Sequence, residues 1–214
     1  MGQSIAASIE QQADLALAGI WTRDGDLDAV VAAADVVIDF SLPEGTAAVL
    51  DAVVRYNKPL VCGVSGLDDA QMELLDRASA QVPVVYDRNM SLGIAVLEHS
   101  VREAAASLGL DFEIEISETH HIHKKDAPSG TALKLGEAVA AARGKDGTVR
   151  FEVERRGEVP GDHAVVMRSP TECLTFAHSV TTRQVFADGA LRAARWASGR
   201  AAGLYGMRDV LFSK

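Results

Sequence analysis

The chain is poor in cysteine, in aromatic residues and in positive charge, and it contains no long apolar run. Only Cys62 and Cys173 carry thiols among its 214 residues, which excludes a disulfide-stapled scaffold and a cysteine-based zinc site. Lys and Arg number 21 against 30 Asp and Glu, a net charge of -9. A surface of that sign offers no broad electrostatic grip on nucleic acid or an anionic membrane, so any anionic ligand must be held by a local pocket. No stretch approaches the roughly 20 apolar residues of a membrane span, and no signal-peptide pattern opens the chain. The composition, 48% hydrophobic, 24% charged and 5% aromatic, is that of an ordinary globular protein, expected to be a cytoplasmic enzyme or binding protein.

What is present is an alternation of apolar and turn-rich segments. Residues 5–17 are Ala-rich and predict a helix, overlapped by a short apolar strand over 15–21 that ends at Thr22-Arg23. Val36-Val37-Ile38-Asp39-Phe40 is the β-branched run of a buried parallel strand; Ser41-Leu42-Pro43-Glu44-Gly45 reads as a turn and 46–56 as a helix. The unit repeats with a strand over 59–62, the loop Gly63-Val64-Ser65-Gly66, a helix over 68–80 and a strand over 82–86. Strands alternating with helices predict an α/β layer with a parallel sheet. After Asn89 the pattern changes. A helix over 91–108 precedes Phe112-Glu113-Ile114-Glu115-Ile116, whose alternation predicts a strand with one wet face, and strands then follow strands around 149–153, 164–167 and 174–178. A helix over 188–198 with Gly199 as C-cap and a tail over 203–212 close the chain. Two lobes are expected, with no low-complexity linker between them.

The densest polar segment is Glu118-Thr119-His120-His121-Ile122-His123-Lys124-Lys125-Asp126-Ala127-Pro128-Ser129-Gly130-Thr131-Ala132, which holds three of the six histidines. It reads as a connection between a strand and a helix over 132–143, where a rigid scaffold can aim reactive groups. Pro128-Ser129-Gly130-Thr131 offers free amides and hydroxyls at a helix start, suited to a carboxylate or phosphate, and Lys124 adds a full positive charge. Two other readings stay open: a solvated surface cluster with Ser129 as a simple cap, and a histidine metal site, for which the spacing is poor. Gly63-Val64-Ser65-Gly66 follows a buried strand, where α/β proteins bind nucleotides, although a tight turn also needs glycine. Asp39-Phe40-Ser41 and Asp87-Arg88-Asn89 end neighbouring strands, so three loops converge on one edge. His99, His163 and His178 are lone residues read as structural, and Phe176 and Trp196 as core.

The segment from Glu118 to Ala132 closely resembles the signature of the 4-hydroxy-tetrahydrodipicolinate reductase family, historically dihydrodipicolinate reductase, of lysine and diaminopimelate synthesis. The resemblance extends to Val36 through Gly45, the Gly63 to Gly66 loop, Asn89-Met90-Ser91-Leu92-Gly93, Phe186-Ala187-Asp188-Gly189-Ala190 and Gly203 through Leu211, and is loose only over 145–173. It implies a Rossmann-like dinucleotide-binding domain over 1–90 and 184–214, and an α+β mixed-sheet domain over 91–183 for substrate and homotetramer assembly. It also implies NADPH or NADH as cofactor and a small cyclic dicarboxylate as substrate. By position, His120 matches the family's proton donor and Lys124 its second acid; His121, Gly130 and Thr131 match substrate-binding positions. Arg23, Phe40, Gly63, Val64, Ser65, Asp87, Arg88, Asn89, Met90, Arg183 and Phe186 answer to the cofactor, and no metal is implied. An imidazole and an ammonium are fitting donors for the proton that must follow a hydride.

The chain departs from the family pattern twice. Met1-Gly2 matches only the end of the usual glycine-rich phosphate loop, so the first strand and most of that loop are missing from the expected pattern, and residues upstream of Met1 are expected to supply them. At Thr22-Arg23 the usual acidic residue is replaced, which leaves a cation that would suit a 2′-phosphate. The leading expectation is an NAD(P)H-dependent reductase. The alternatives are a binding or regulatory relative unable to hold a dinucleotide, and a histidine-based metal hydrolase.

Overall fold

A computed structural model describes residues 1–144 and 147–213. Lys145, where the loosely matched stretch begins, and Lys214, the last residue of the expected first lobe, lie outside the described residues. The chain divides into two units, Met1–Ser91 with Gln184–Lys214, and Leu92–Arg183.

The first unit is built on a parallel sheet of β1 (Val37–Asp39), β2 (Leu60–Cys62), β3 (Pro83–Tyr86) and β8 (Gly203–Tyr205), in the order β1-β2-β3-β8. Its helices are α1 (Gly2–Glu10), α2 (Leu27–Ala33), α3 (Pro43–Arg55), α4 (Asp69–Ser79), α7 (Gln184–Ala197) and α8 (Met207–Phe212). All three residues of β2 are fully buried, as the continuous apolar run of a strand covered on both faces requires. The core gathers Val49, Leu50, Val53, Leu60, Leu75 and Val84 between sheet and helices. Local chemistry fixes the helix starts: the Asp68 carboxylate accepts the Gln71 amide at 2.8 Å while the Gln71 side chain accepts the Asp68 amide at 3.0 Å, a reciprocal cap.

The second unit pairs α5 (Leu92–Leu108) and α6 (Gly130–Arg143) with a mixed sheet of β4 (Glu113–His120), β5 (Val149–Arg155), β6 (Asp162–Arg168) and β7 (Cys173–Ser179). The order is β5-β4-β6-β7, with β4 parallel to β5 and antiparallel to β6. Ile114 and Ile116 of β4 pack with Leu97 and Val101 of α5, Leu135 and Val139 of α6, and Val165 and Met167 of β6. The chain therefore joins a Rossmann-like parallel layer to a mixed-sheet α+β unit.

Several local expectations fail for identifiable reasons. The first helix stops at Glu10, and 15–21 forms no strand: none of its residues pairs with β1, the edge strand of the sheet. Helix α3 begins at Pro43, inside the expected turn, because proline at the first helical position sacrifices no hydrogen bond. Helix α7 begins four residues early, and Gly199 is not among the glycines with left-handed backbone, so it is no C-cap of that type. The supposed tail supplies β8 and α8. Trp196 is only half-buried, stacked edge-on against Tyr205 at 4.9 Å with Arg200 4.2 Å over its ring.

Within the first unit Gly189 of α7 touches the loop after β3 so closely that a Cβ there would lie 1.7 Å from the Met90 carbonyl oxygen. Neither a helix nor a backbone carbonyl gives way cheaply. Gly189→Ala is expected to destabilise the chain by about 2 kcal/mol or more, by the usual cost of overpacking. Urea unfolding measures this, and a wild-type midpoint would show that the contact is not as tight as described.

Candidate active site

The decisive feature of β4 is that its inward alternation does not stop at Ile116. Residues two apart share a face of a strand, and the buried set continues from Ile114 and Ile116 to Glu118 and His120. Sequence reading had placed these two polar residues on the following connection; the strand in fact carries them under the sheet. Glu118 is 3% exposed and His120 7%. Glu118 Oε1 accepts the Ser129 amide at 2.9 Å and Arg155 Nη2 at 3.1 Å, and Oε2 lies 3.1 Å from His120 Nδ1. The last contact is an ion-pair distance rather than an aligned hydrogen bond, since neither atom meets hydrogen-bond geometry. Burial alone would raise the Glu118 pKa, but His120, Ser129 and Arg155 outweigh it and hold the carboxyl down at about 2.

His163 completes the cluster from β6. Its Nε2 is 3.4 Å from Ser129 Oγ and 3.9 Å from Glu118 Oε2, and its ring meets that of His120 edge-on at 5.1 Å. Burial, and then the neighbouring His120, push the His163 pKa down to about 4, so it is neutral near physiological pH. With Nδ1 of His120 turned toward Glu118, Nε2 is the nitrogen left to exchange a proton. Gly161 lies against it: a Cβ there would be 3.0 Å from His120 Nε2, and the backbone sits at φ +153°. Glycine keeps that nitrogen uncovered.

The chain then leaves the strand through His121 and a turn in which the Lys124 amide donates to the His121 carbonyl at 3.1 Å. Lys124 Nζ pairs with Asp126 at 2.8 Å. Ser129 caps α6 by accepting the Ala132 amide at 3.2 Å, which makes Gly130 and Thr131 the first two residues of the helix. His120, His121, Lys124, Gly130 and Thr131 thus all belong to one strand, loop and helix start of the second unit. His123 faces outward, 3.4 Å from Glu158.

In the first unit the carboxyl ends of β1, β2 and β3 lie side by side, and the Gly63 amide donates to the Asp39 carbonyl at 2.8 Å. The Phe40 ring lies directly on Gly63; a Cβ would meet its Cζ at 2.4 Å. Val64 and Met90 are buried to 1%, so they can offer a ligand little beyond backbone. Ser65, Arg88 and Arg23 are exposed, and Phe186 is half-buried in the first turn of α7. Asp87 is buried and accepts the amides of Asn89 at 3.1 Å and Met207 at 3.3 Å, a structural duty. Arg183 falls in the second unit.

Residues 1–90 match the family model described as dihydrodipicolinate reductase, N-terminus, and residues 93–211 that described as dihydrodipicolinate reductase, C-terminus. The chain belongs to the dihydrodipicolinate reductase family. It is 39% identical to the 4-hydroxy-tetrahydrodipicolinate reductase of Zymomonas mobilis, over 99% of this chain and 92% of that one. The corresponding reductase of Caulobacter vibrioides is 40% identical, over 99% and 93%. A dipicolinate-bound dihydrodipicolinate reductase from Paenisporosarcina sp. TG-14 shares the fold, with a TM-score of 0.82 at 19% identity over 97% of this chain and 94% of that one.

The carboxyl edge of the parallel sheet in the first unit suits a dinucleotide. Asp39 Oδ2 is buried there without a hydrogen-bond partner, an acceptor for a ligand hydroxyl or amide. The metal reading fares differently. Among the described residues Glu118, His120 and His163 bring one ligand atom each within 4.8 Å of one another, but Arg155 already neutralises Glu118, and a second cation beside it would be repelled. Glu118, His163 and Arg155 escaped the sequence reading. The only signal for Glu118 was its parity with Ile114 and Ile116, and His163 looked like a solitary strand histidine.

The two shifted groups give stability a definite pH dependence. Between 6.5, where an unfolded histidine takes up a proton, and about 4, His163 stays neutral, so the unfolded chain binds more protons and stability falls with acidification. Glu118 adds a second loss, from 4.5 downward to about 2. Denaturant unfolding at pH 7 and pH 5, values set by that window, is expected to show a shallower pH dependence in His163→Gln. Equal slopes in the two proteins would show that His163 is not held neutral.

Proposed function

We propose that this protein catalyses the NAD(P)H-dependent reduction of 4-hydroxy-tetrahydrodipicolinate to tetrahydrodipicolinate, a step of lysine and diaminopimelate synthesis. The observation that carries the reading is His120, buried on a strand, backed by a carboxylate at Nδ1 and faced at Nε2 by a glycine rather than a side chain, on the strand that leads into the Lys124 loop and the start of α6. Family membership across both units supports it.

When bound, NADPH or NADH supplies the hydride. Over the whole reaction a hydride and a proton enter the substrate and its hydroxyl leaves as water. His120 Nε2 delivers the proton, while Glu118 stabilises the imidazolium and keeps the ring oriented. Lys124 is the second acid, and its ammonium, exchanging Asp126 for ligand, balances a substrate carboxylate. His121 and the amides and hydroxyl of Gly130 and Thr131 hold the dicarboxylate at the helix start. In the first unit Phe40, Gly63, Val64, Ser65, Asp87, Arg88, Asn89, Met90 and Phe186 line the cofactor site. Arg23 favours NADPH over NADH. The reading includes a cytoplasmic homotetramer assembled through the second unit, for which sedimentation analysis gives the mass.

NAD(P)H oxidation with freshly prepared 4-hydroxy-tetrahydrodipicolinate is the direct test; no substrate-dependent oxidation would refute the assignment. His120→Gln and Lys124→Ala are each expected to lower kcat by about 10²-fold with little change in NAD(P)H affinity. Near-normal turnover in both would remove them as acids. A Cβ on Gly130 meets nothing within 4 Å, so Gly130→Val tests the ligand rather than the fold. It is expected to raise KM for the dicarboxylate and weaken pyridine-2,6-dicarboxylate, leaving NAD(P)H binding intact. Equal inhibitor affinity in variant and wild type would move the substrate site elsewhere.

A further inference from the structure

Four of the five N–H bonds of the Arg155 guanidinium are used by the chain itself. Nη2 donates to Glu118 Oε1 at 3.1 Å and to the Asp126 carbonyl at 2.5 Å, Nε to the Lys124 carbonyl at 3.3 Å, and Nη1 to the Glu154 carbonyl at 2.8 Å. The residue ends β5, in parallel register with His120, and the next amide, that of Arg156, donates to the His120 carbonyl at 2.8 Å. One planar cation therefore touches the carboxylate behind His120 and two carbonyls, those of Lys124 and Asp126, in the loop that carries Lys124. Its side chain is 19% exposed, and with one N–H uncommitted it is poorly suited to grip a dicarboxylate in the usual two-pronged way.

We propose that Arg155 is a positioning residue that aims both acids at once: through Glu118 it orients His120, and through the Lys124 and Asp126 carbonyls it fixes the loop that carries Lys124. This rests on the reductase reading above. Glu118 has a second anchor in the Ser129 amide, but it is Arg155 that joins the strand's carboxylate to the loop carbonyls. A lysine in place of Arg155 keeps the charge but has a compact head with three donors, which cannot span acceptors on Glu118, Lys124 and Asp126 in one plane. Displacing a reacting group by about 1 Å costs on the order of 10²-fold in rate, whereas the cofactor residues of the first unit are untouched by the change.

Arg155→Lys in the full chain is expected to lower kcat at least tenfold, with KM for the dicarboxylate within about threefold and the Kd for NADPH unchanged, the kinetic signature of lost alignment. In Arg155→Ala, millimolar free guanidinium is expected to restore part of kcat and ammonium none. Nitrogen-15 spectra of the His120 ring give a readout independent of turnover: one fixed tautomer in the wild type and a mixture in Arg155→Lys. Wild-type kcat together with an unchanged His120 tautomer in Arg155→Lys overturns the proposal. So does a loss of NADPH affinity and melting temperature in step with kcat, without guanidinium rescue, since that marks a purely structural residue. A wild type that oxidises no NAD(P)H refutes the reductase reading instead, and the tautomer spectra then decide the positioning claim alone.

Discussion

Burying a carboxylate beneath a β-sheet obliges the protein to surround it with donors, and at Glu118 that obligation organises the working end of the second unit. Two donors come from far off in the chain, the Ser129 amide from the helix start and Arg155 from the neighbouring strand, and the His120 ring, two residues on, adds a contact at ion-pair distance. Removing one partner from such a pair leaves a desolvated charge, a penalty of about 3 to 5 kcal/mol. The arrangement is therefore all-or-none. Strand β4, the head of α6 and the end of β5 take their places together, and the neutral His163 can sit close by only because the cluster's charge is already balanced.

The first unit meets a different constraint with smaller means. Parallel strands deliver their loops to one edge, and close approach is secured by glycines, with Phe40 lying over Gly63 and the Met90 carbonyl against Gly189. Asp87, the residue after β3, accepts the first amide of α8, so the last helix is fastened to the carboxyl edge of the sheet.

Much of this was legible in the sequence. The β-branched runs at 37–39 and 60–62 and the alternation at 113–116 mark strands because apolarity and period agree. Legibility ended where polarity and burial part company. After Ile116 the inward residues of β4 become Glu118 and His120, and a reading keyed to apolar periodicity stopped there although the strand did not. His163 looked solitary because its partners lie on other strands and on the head of a helix, a relation that no local window contains. The strand expected over 15–21 failed for the opposite reason: its apolar residues satisfy the pattern, but pairing is a property of neighbours. At Gly203-Leu204-Tyr205 three residues were too few to announce a strand.

The division of the chain also bears on the order in which it is synthesised. The second unit is one uninterrupted stretch, Leu92–Arg183, whereas the first is split, and its sheet needs β8 from near the end of the chain beside β3. A ribosome emits residues in order, and a domain whose contacts are local in sequence can close before one that waits for a distant segment. The second unit can thus form while the parallel layer of the first still lacks its fourth strand and α7. During that interval the unpaired edge of β3 is exposed, the kind of surface on which nascent chains associate wrongly. Conditions that slow completion of the last thirty or so residues, a span on the order of a few seconds of translation, would lengthen that exposure and lower soluble yield without touching a single residue of the Glu118 cluster.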